Sequence, residues 1–210
     1  MRVRAARALR EIPAPGTAGA LHYYDAELGA DTAKILPGEY LATATDIALV
    51  TLLGSCVAAC VRDPVAGVGG MNHFMLPDGG DGVAGESARY GSYAMEMLLN
   101  ELLKLGASRV RLEAKVFGGG AVLRGFTRVN VGERNARFVN DYLADEHIPI
   151  LAEDLLDVHP RKIAYFPRTG RTLVKRLPAV VEREVGGIEQ LYRERLREKP
   201  VAPGAVELFE

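Results

Sequence analysis

The chain has 210 residues, of which 48% are hydrophobic and 25% charged, enough for one domain of generous size with a real core. A formal net charge of -1 gives no overall field to attract nucleic acid or an anionic membrane surface. No apolar run reaches the roughly 18 residues of a spanning helix, and the Arg-rich start (Arg2, Arg4, Arg7, Arg10) is not followed by the apolar stretch of a secretory signal.

Taken in order, residues 1–20 are Arg/Ala-rich and then Pro/Gly-rich, the composition of a mobile tail. Residues 21–46 mix short apolar runs with turn signals at Gly29 and Pro37-Gly38 and predict one short strand or an irregular arm. IALVTLL from Ile47 is a continuous apolar run, a buried strand broken by Gly54-Ser55. CVAACVR is a second strand, ended at Asp63-Pro64, and VGGMNHFML a third, in which Gly69-Gly70 marks a bulge or a close backbone approach. Residues 78–85 form a Gly/Asp loop. Ser87 caps a helix whose stripe (Tyr90, Tyr93, Ala94, Met97, Leu98, Leu102, Leu105) has the helical period and ends at Gly106. VRLEAKVF (110–117) alternates as a half-buried strand and runs into Gly118-Gly119-Gly120. A second amphipathic helix spans about 133–144, strands follow at 148–151 and 163–166, and Arg168-Thr169-Gly170-Arg171 turns into a strand over 172–177. After Pro178 comes a charged helix with apolar Val185, Ile188, Leu191, Tyr192 and Leu196, and a Pro/Gly-containing end. These shifts divide the chain into a tail (1–20), a domain (21–178) and a helical extension with its own tail (179–210).

Thr51 to Pro77 reads TLLGSCVAACVRDPVAGVGGMNHFMLP and places Cys56 after a turn signal and His73 seventeen positions on. A thiol and an imidazole are the parts of a cysteine nucleophile and its base. By spacing alone each is equally a core residue, since free cysteine is among the most buried residue types. Cys56 and Cys60 on one strand stand about 13 Å apart, too far for a disulfide, which predicts free thiols in a reducing cytoplasm. Cys60 reads as packing, and His22, His147 and His159 as surface residues. Two cysteines and four histidines without close ligand pairs predict no zinc site. Gly118–Gly120 lacks the Gly-Lys-Ser/Thr ending of a phosphate loop and reads as a turn or substrate-facing loop. Arg134-Asn135 reads as a polar helix start or a buried hydrogen-bonding pair.

Leu53-Gly54-Ser55-Cys56, Asp63-Pro64 and Gly69-Gly70-Met71-Asn72-His73-Phe74-Met75-Leu76-Pro77 together resemble the CheD family of chemoreceptor glutamine deamidases. Arg89-Tyr90-Gly91, Glu113 to Gly119, Gly132-Glu133-Arg134-Asn135, Ile150 to Asp154 and Thr169-Gly170 continue the likeness in the family's order, over residues 35–178. The resemblance implies a single-domain three-layer α/β/β sandwich with mixed sheets, shared with deamidating bacterial toxins. It also implies a cytoplasmic hydrolase that converts receptor glutamines to glutamates and releases ammonia, with no cofactor and no metal. By motif, Cys56 is the nucleophile and His73 the base. The third catalytic residue is a threonine just upstream, for which Thr51 is the candidate. Family members often carry it one position earlier, at Val50 here, and neighbouring positions of a regular strand face opposite ways. After Asp154 the chain also departs from the family's glycines, with Leu155-Leu156-Asp157-Val158-His159-Pro160-Arg161. The implied partners are chemoreceptor cytoplasmic helices and a CheC-type chemotaxis phosphatase. A non-catalytic adaptor on those partners and a generic cysteine peptidase are the competing functions. The backbone N–H of Cys56 is the expected oxyanion donor.

Overall fold

A computed structural model describes residues 21–76, 84–121 and 131–198. The strands are β1 (Leu21–Asp25), β2 (Ala30–Lys34), β3 (Tyr40–Thr43), β4 (Ala48–Leu53), β5 (Val57–Asp63) and β6 (Val68–Asn72), then β7 (Glu113–Gly118), β8 (Ile150–Leu155), β9 (Arg161–Phe166) and β10 (Arg171–Arg176). The helices are α1 (Ala84–Lys104), α2 (Val131–Asp145) and α3 (Ala179–Glu198). The expected mobile tail, most of the Gly/Asp loop and the Pro/Gly-containing end lie outside the described residues.

Two five-stranded sheets result, ordered β1-β2-β4-β9-β10 and β3-β6-β5-β7-β8. Both are mixed, because β2 pairs parallel with β4 and β7 parallel with β8 while the other pairings are antiparallel. The second sheet is the middle layer. Val57, Ala59 and Val61 of β5 join a core with Leu98, Leu99 and Leu102 of α1 and Val139 and Leu143 of α2. Ala58 and Cys60, pointing the other way, join Leu49 and Leu53 of β4 and Ile163 and Tyr165 of β9 in the core between the sheets. A strand buried on both faces needs no polar alternation, which is why CVAACVR is apolar throughout. Cys60 is packing in this second core, where burial pushes its thiol well up. Gly70 is a close approach, since a Cβ there would lie 2.5 Å from the Leu41 carbonyl oxygen.

Three expectations need correcting. Residues 21–46 form three strands, not one. The Asp25 carboxylate accepts the N–H groups of Glu27 and Leu28 and closes the β1–β2 hairpin, whose short polar strands show no hydrophobic pattern. α1 starts at Ala84, so Ser87 lies inside it rather than at its cap. Arg109–Arg111 is a single 3-10 turn, and the strand predicted from Val110 begins at Glu113.

Asp63 anchors the β5–β6 connection. Its carboxylate accepts from the N–H groups of Val65, Ala66 and Ser108 and from the Arg111 guanidinium. The Arg111 bond, with those backbone bonds, holds its carboxyl far below the usual carboxylate range. Asp63→Ala leaves the partners unpaired and is expected to lower unfolding free energy by about 3 kcal/mol, read by denaturant titration. Because the folded pKa is depressed, this contribution is present at neutral pH and disappears as pH falls below the carboxylate's unfolded value.

Candidate active site

The chain leaves one sheet at Leu53 and enters the other at Val57. Gly54-Ser55-Cys56 is therefore the crossover between layers. Its three carbonyls are pinned from within. Gly120 N–H donates to the Gly54 oxygen (2.7 Å), Asn135 Nδ2 to that of Ser55 (2.8 Å) and Gly119 N–H to that of Cys56 (2.8 Å). With the carbonyls turned into the protein, the three amides point outward together, the arrangement of an anion-binding nest.

The glycine run makes that support possible. Gly118 and Gly119 have φ of 112° and 68°, and a Cβ on Gly118 would stand 2.1 Å from the Cys56 oxygen. The run thus faces the back of the crossover instead of forming a substrate-facing loop. Asn135 is a buried hydrogen-bonding residue, also accepting Leu76 N–H at 2.9 Å, so α2 clamps the crossover to the segment after His73. The Leu155–Arg161 loop has a different anchor from glycines. Arg161, fully buried, donates to the carbonyls of Gly118, Asp154 and Leu156, while Leu156 and Asp157 adopt positive φ.

His73 follows β6. Paired bonds between Val57 and Phe74 (N···O 3.0 and 2.9 Å) continue the β5–β6 ladder past it and bring it beside Cys56. Thr51 comes from the other sheet. It shares the face of β4 that carries Leu49 and Leu53, between the sheets, so Thr51 and not Val50 is on the side of the site. Its Oγ1 lies 2.7 Å from His73 Nδ1 and donates its own hydrogen to the Ile35 carbonyl at 2.7 Å. A hydroxyl has one hydrogen, so His73 Nδ1 must be the donor to Thr51, and the lone pair of the neutral ring is on Nε2. Nε2 is buried and has no hydrogen-bond partner among the described residues. His22 is half-buried, whereas His147 and His159 are exposed.

A residue absent from the sequence-based candidates completes the cluster. Glu189 of α3 is 1% exposed. Its Oε1 accepts the N–H groups of Gly54 (2.8 Å) and Cys56 (2.9 Å), and its Oε2 accepts Ser55 N–H (2.8 Å) and Ser55 Oγ–H (2.7 Å). The one available signal was a carboxylate on an apolar stripe. Val185, Glu189, Tyr192 and Leu196 share a helix face, while the expected anchors Ile188 and Leu191 are exposed.

Burial, and then the Glu189 charge, push the Cys56 thiol well up, so it is protonated in this arrangement. Burial lowers the His73 imidazole to about 4 against the opposing pull of Glu189, so the ring is neutral. Cys56, His73 and Glu189 offer three ligand atoms within 4.8 Å of one another, a donor set that could hold a cation. Four protein donors already engage the carboxylate, however, and a cation would have to break those bonds.

The arrangement combines a thiol, a neutral base with its accepting nitrogen free, a hydroxyl that orients the base, and the Gly54 and Cys56 amides, which meet one oxygen at 2.8 and 2.9 Å as a developing oxyanion needs. Thr51 acts through His73 and is a positioning residue. Thr51→Val leaves Nδ1–H unpaired and is expected to lower kcat about 10- to 100-fold, with KM little changed. Thr51→Ser, which keeps the hydroxyl, should restore most of the rate.

A family model described as CheD chemotactic sensory transduction matches residues 75–176. The chain is 60% identical over 190 residues to a probable chemoreceptor glutamine deamidase CheD of Herminiimonas arsenicoxydans, covering 89% of this chain and 93% of the relative. It is 56% identical over 191 residues to the protein of the same name from Methylobacillus flagellatus, covering 89% and 94%. Among solved structures, the Bacillus licheniformis hypothetical protein YfiH aligns at 13% identity with a TM-score of 0.35, over 57% of this chain and 49% of the other.

Proposed function

This chain belongs to the CheD family, and from that premise we propose that it hydrolyses the side-chain amides of specific chemoreceptor glutamines to glutamates. In this reading Cys56 Sγ attacks the amide carbon as His73 Nε2 takes the thiol proton. The oxyanion is held by the N–H groups of Gly54 and Cys56, which converge on one oxygen of Glu189. His73 returns the proton to the amide nitrogen, the C–N bond breaks, and ammonia leaves behind a thioester. A water molecule, deprotonated by His73, cleaves that thioester and leaves a glutamate. Thr51 keeps Nδ1–H occupied, so that Nε2 always faces the reaction.

The observation that carries this reading is the convergence of three outward amides on a glutamate carboxylate beside Cys56 and His73. A binding adaptor has no use for a buried imidazole with its accepting nitrogen free. Residues 21–178 serve as the catalytic unit and 179–210 as an extension to it. The setting is the cytoplasm, where a free cysteine persists; among the described residues no helix is long and apolar enough to cross a membrane. A CheC-type phosphatase is a second partner in this reading.

The test incubates the protein with a glutamine-bearing chemoreceptor cytoplasmic fragment. The expected result is ammonia release and a gain of about one dalton per converted site, the replacement of an amide by an acid through an acyl-enzyme. Cleavage of the fragment's backbone would instead mark a peptidase. A fragment left unchanged by both wild type and Glu189→Ala would overturn the proposal.

A further inference from the structure

Glu189 is itself a glutamate side chain bound where the proposed reaction makes one. Its carboxylate receives three backbone N–H groups and a hydroxyl at the crossover, within 4.8 Å of the thiol and imidazole. It reaches there from a helix, so the site accepts a glutamate side chain carried on a helix. We infer that α3 occupies the substrate site as a tethered product analogue, and that the groove it fills is where a partner helix bearing a glutamine docks. The inference rests on the deamidase reading and adds to it a self-occlusion that a substrate helix must displace.

Three further observations support it. The first is the unpaired His73 Nε2. A carboxylate offers this nitrogen only lone pairs, so the docked glutamate leaves the base unengaged, as a product that has already lost its ammonia would. The second is that docking uses one face of α3. Val185, Glu189 and Leu196 are buried there, and Tyr192 lies against Gly38 and hydrogen-bonds the Tyr90 hydroxyl. A helix with a glutamine, an aliphatic residue four positions before it and an aromatic three positions after it has the complementary face. The third is that Gly186-Gly187 stands directly before Ile188-Glu189 in the helix interior. Two interior glycines weaken a helix by about 1 kcal/mol each relative to alanine, so α3 is held by its docked face more than by its own propensity. In the docked state the Cys56 thiol is fully covered, which keeps the enzyme silent until α3 leaves.

The inference predicts that a glutamine placed at position 189 is converted in cis. In Glu189→Gln, Cys56 Sγ bonds to the side-chain carbon, the carbon–nitrogen bond breaks, ammonia leaves with the proton from His73, and water restores a carboxylate. Peptide mapping by tandem mass spectrometry should recover glutamate at 189 in Glu189→Gln and glutamine in Glu189→Gln/Cys56→Ala, with the neighbouring Gln190 unchanged in both. Retention of the introduced glutamine in the variant that keeps Cys56 overturns the inference. It does so alone when wild type or Glu189→Ala still converts the receptor fragment, and together with the deamidase reading when neither does. In a second arm, Glu189→Ala should raise conversion of subsaturating receptor fragment, and alkylation of Cys56 by iodoacetamide, about ten-fold, within the range of couplings between linked sites. Unchanged or lower values of both would overturn the occlusion.

Discussion

Cys56→Ala is expected to reduce receptor deamidation by about ten-thousand-fold or more, the scale on which removal of a covalent nucleophile acts. The residue is fully buried at the layer crossover, and the side chain removed is small. The carbonyls of residues 54–56 keep their Gly120, Asn135 and Gly119 partners in the variant. Stability should therefore stay within about 1–2 kcal/mol of wild type, as for loss of a small buried group. Circular dichroism with denaturant titration separates this outcome from unfolding: a folded, inert variant is expected. Cys60→Ala, in the inter-sheet core beyond Ala58, should lose stability by a similar amount and keep its activity.

His73→Gln should lower kcat by about a thousand-fold, the contribution of a positioned acid–base group. Glutamine can keep a hydrogen bond to Thr51 but cannot carry a proton between thiol, amide and water. The pH behaviour gives an independent reading of the same ring. Burial holds its pKa at about 4, below the ordinary histidine value. In the folded protein the ring therefore binds fewer protons than in the unfolded chain between that value and about 6.5. Stability then rises with pH across this window and falls as pH drops through it. In His73→Gln this part of the acid sensitivity should be gone, and NMR titration of wild type should show an imidazole still neutral at pH 6.

Much of this was legible in the sequence, and the limits have physical causes. The Gly54-Ser55-Cys56 break between two apolar runs marks the crossover, because a chain changing layers needs a turn there. The layered α/β architecture follows from strands that are apolar on both faces and helices that are apolar on one. β1 to β3 were harder to read because they are short, partly exposed and rich in polar side chains. The side of the sheet on which Thr51 lies depended on strand register, which local sequence does not specify without a buried-face alternation, and β4 is buried on both faces. Arg161 and Glu189 were invisible for a different reason. Each binds backbone groups, and Glu189 does so from 133 to 135 residues away. Backbone donors and acceptors leave no trace in residue identity, so only the misplaced carboxylate on the apolar face of α3 pointed to the Glu189 contact.

In the proposed reaction Cys56 forms a thioester with the side-chain carbon of a receptor glutamine. The most direct measurement is intact-protein mass spectrometry after acid quench of Glu189→Ala mixed with an excess of glutamine-bearing receptor peptide. The expected result is an adduct weighing the peptide less ammonia, mapped to Cys56, which disappears as free glutamate-containing peptide accumulates and is missing from Cys56→Ala. Deamidation proceeding at an undiminished rate in Cys56→Ala, or an adduct mapped to another residue, would contradict it.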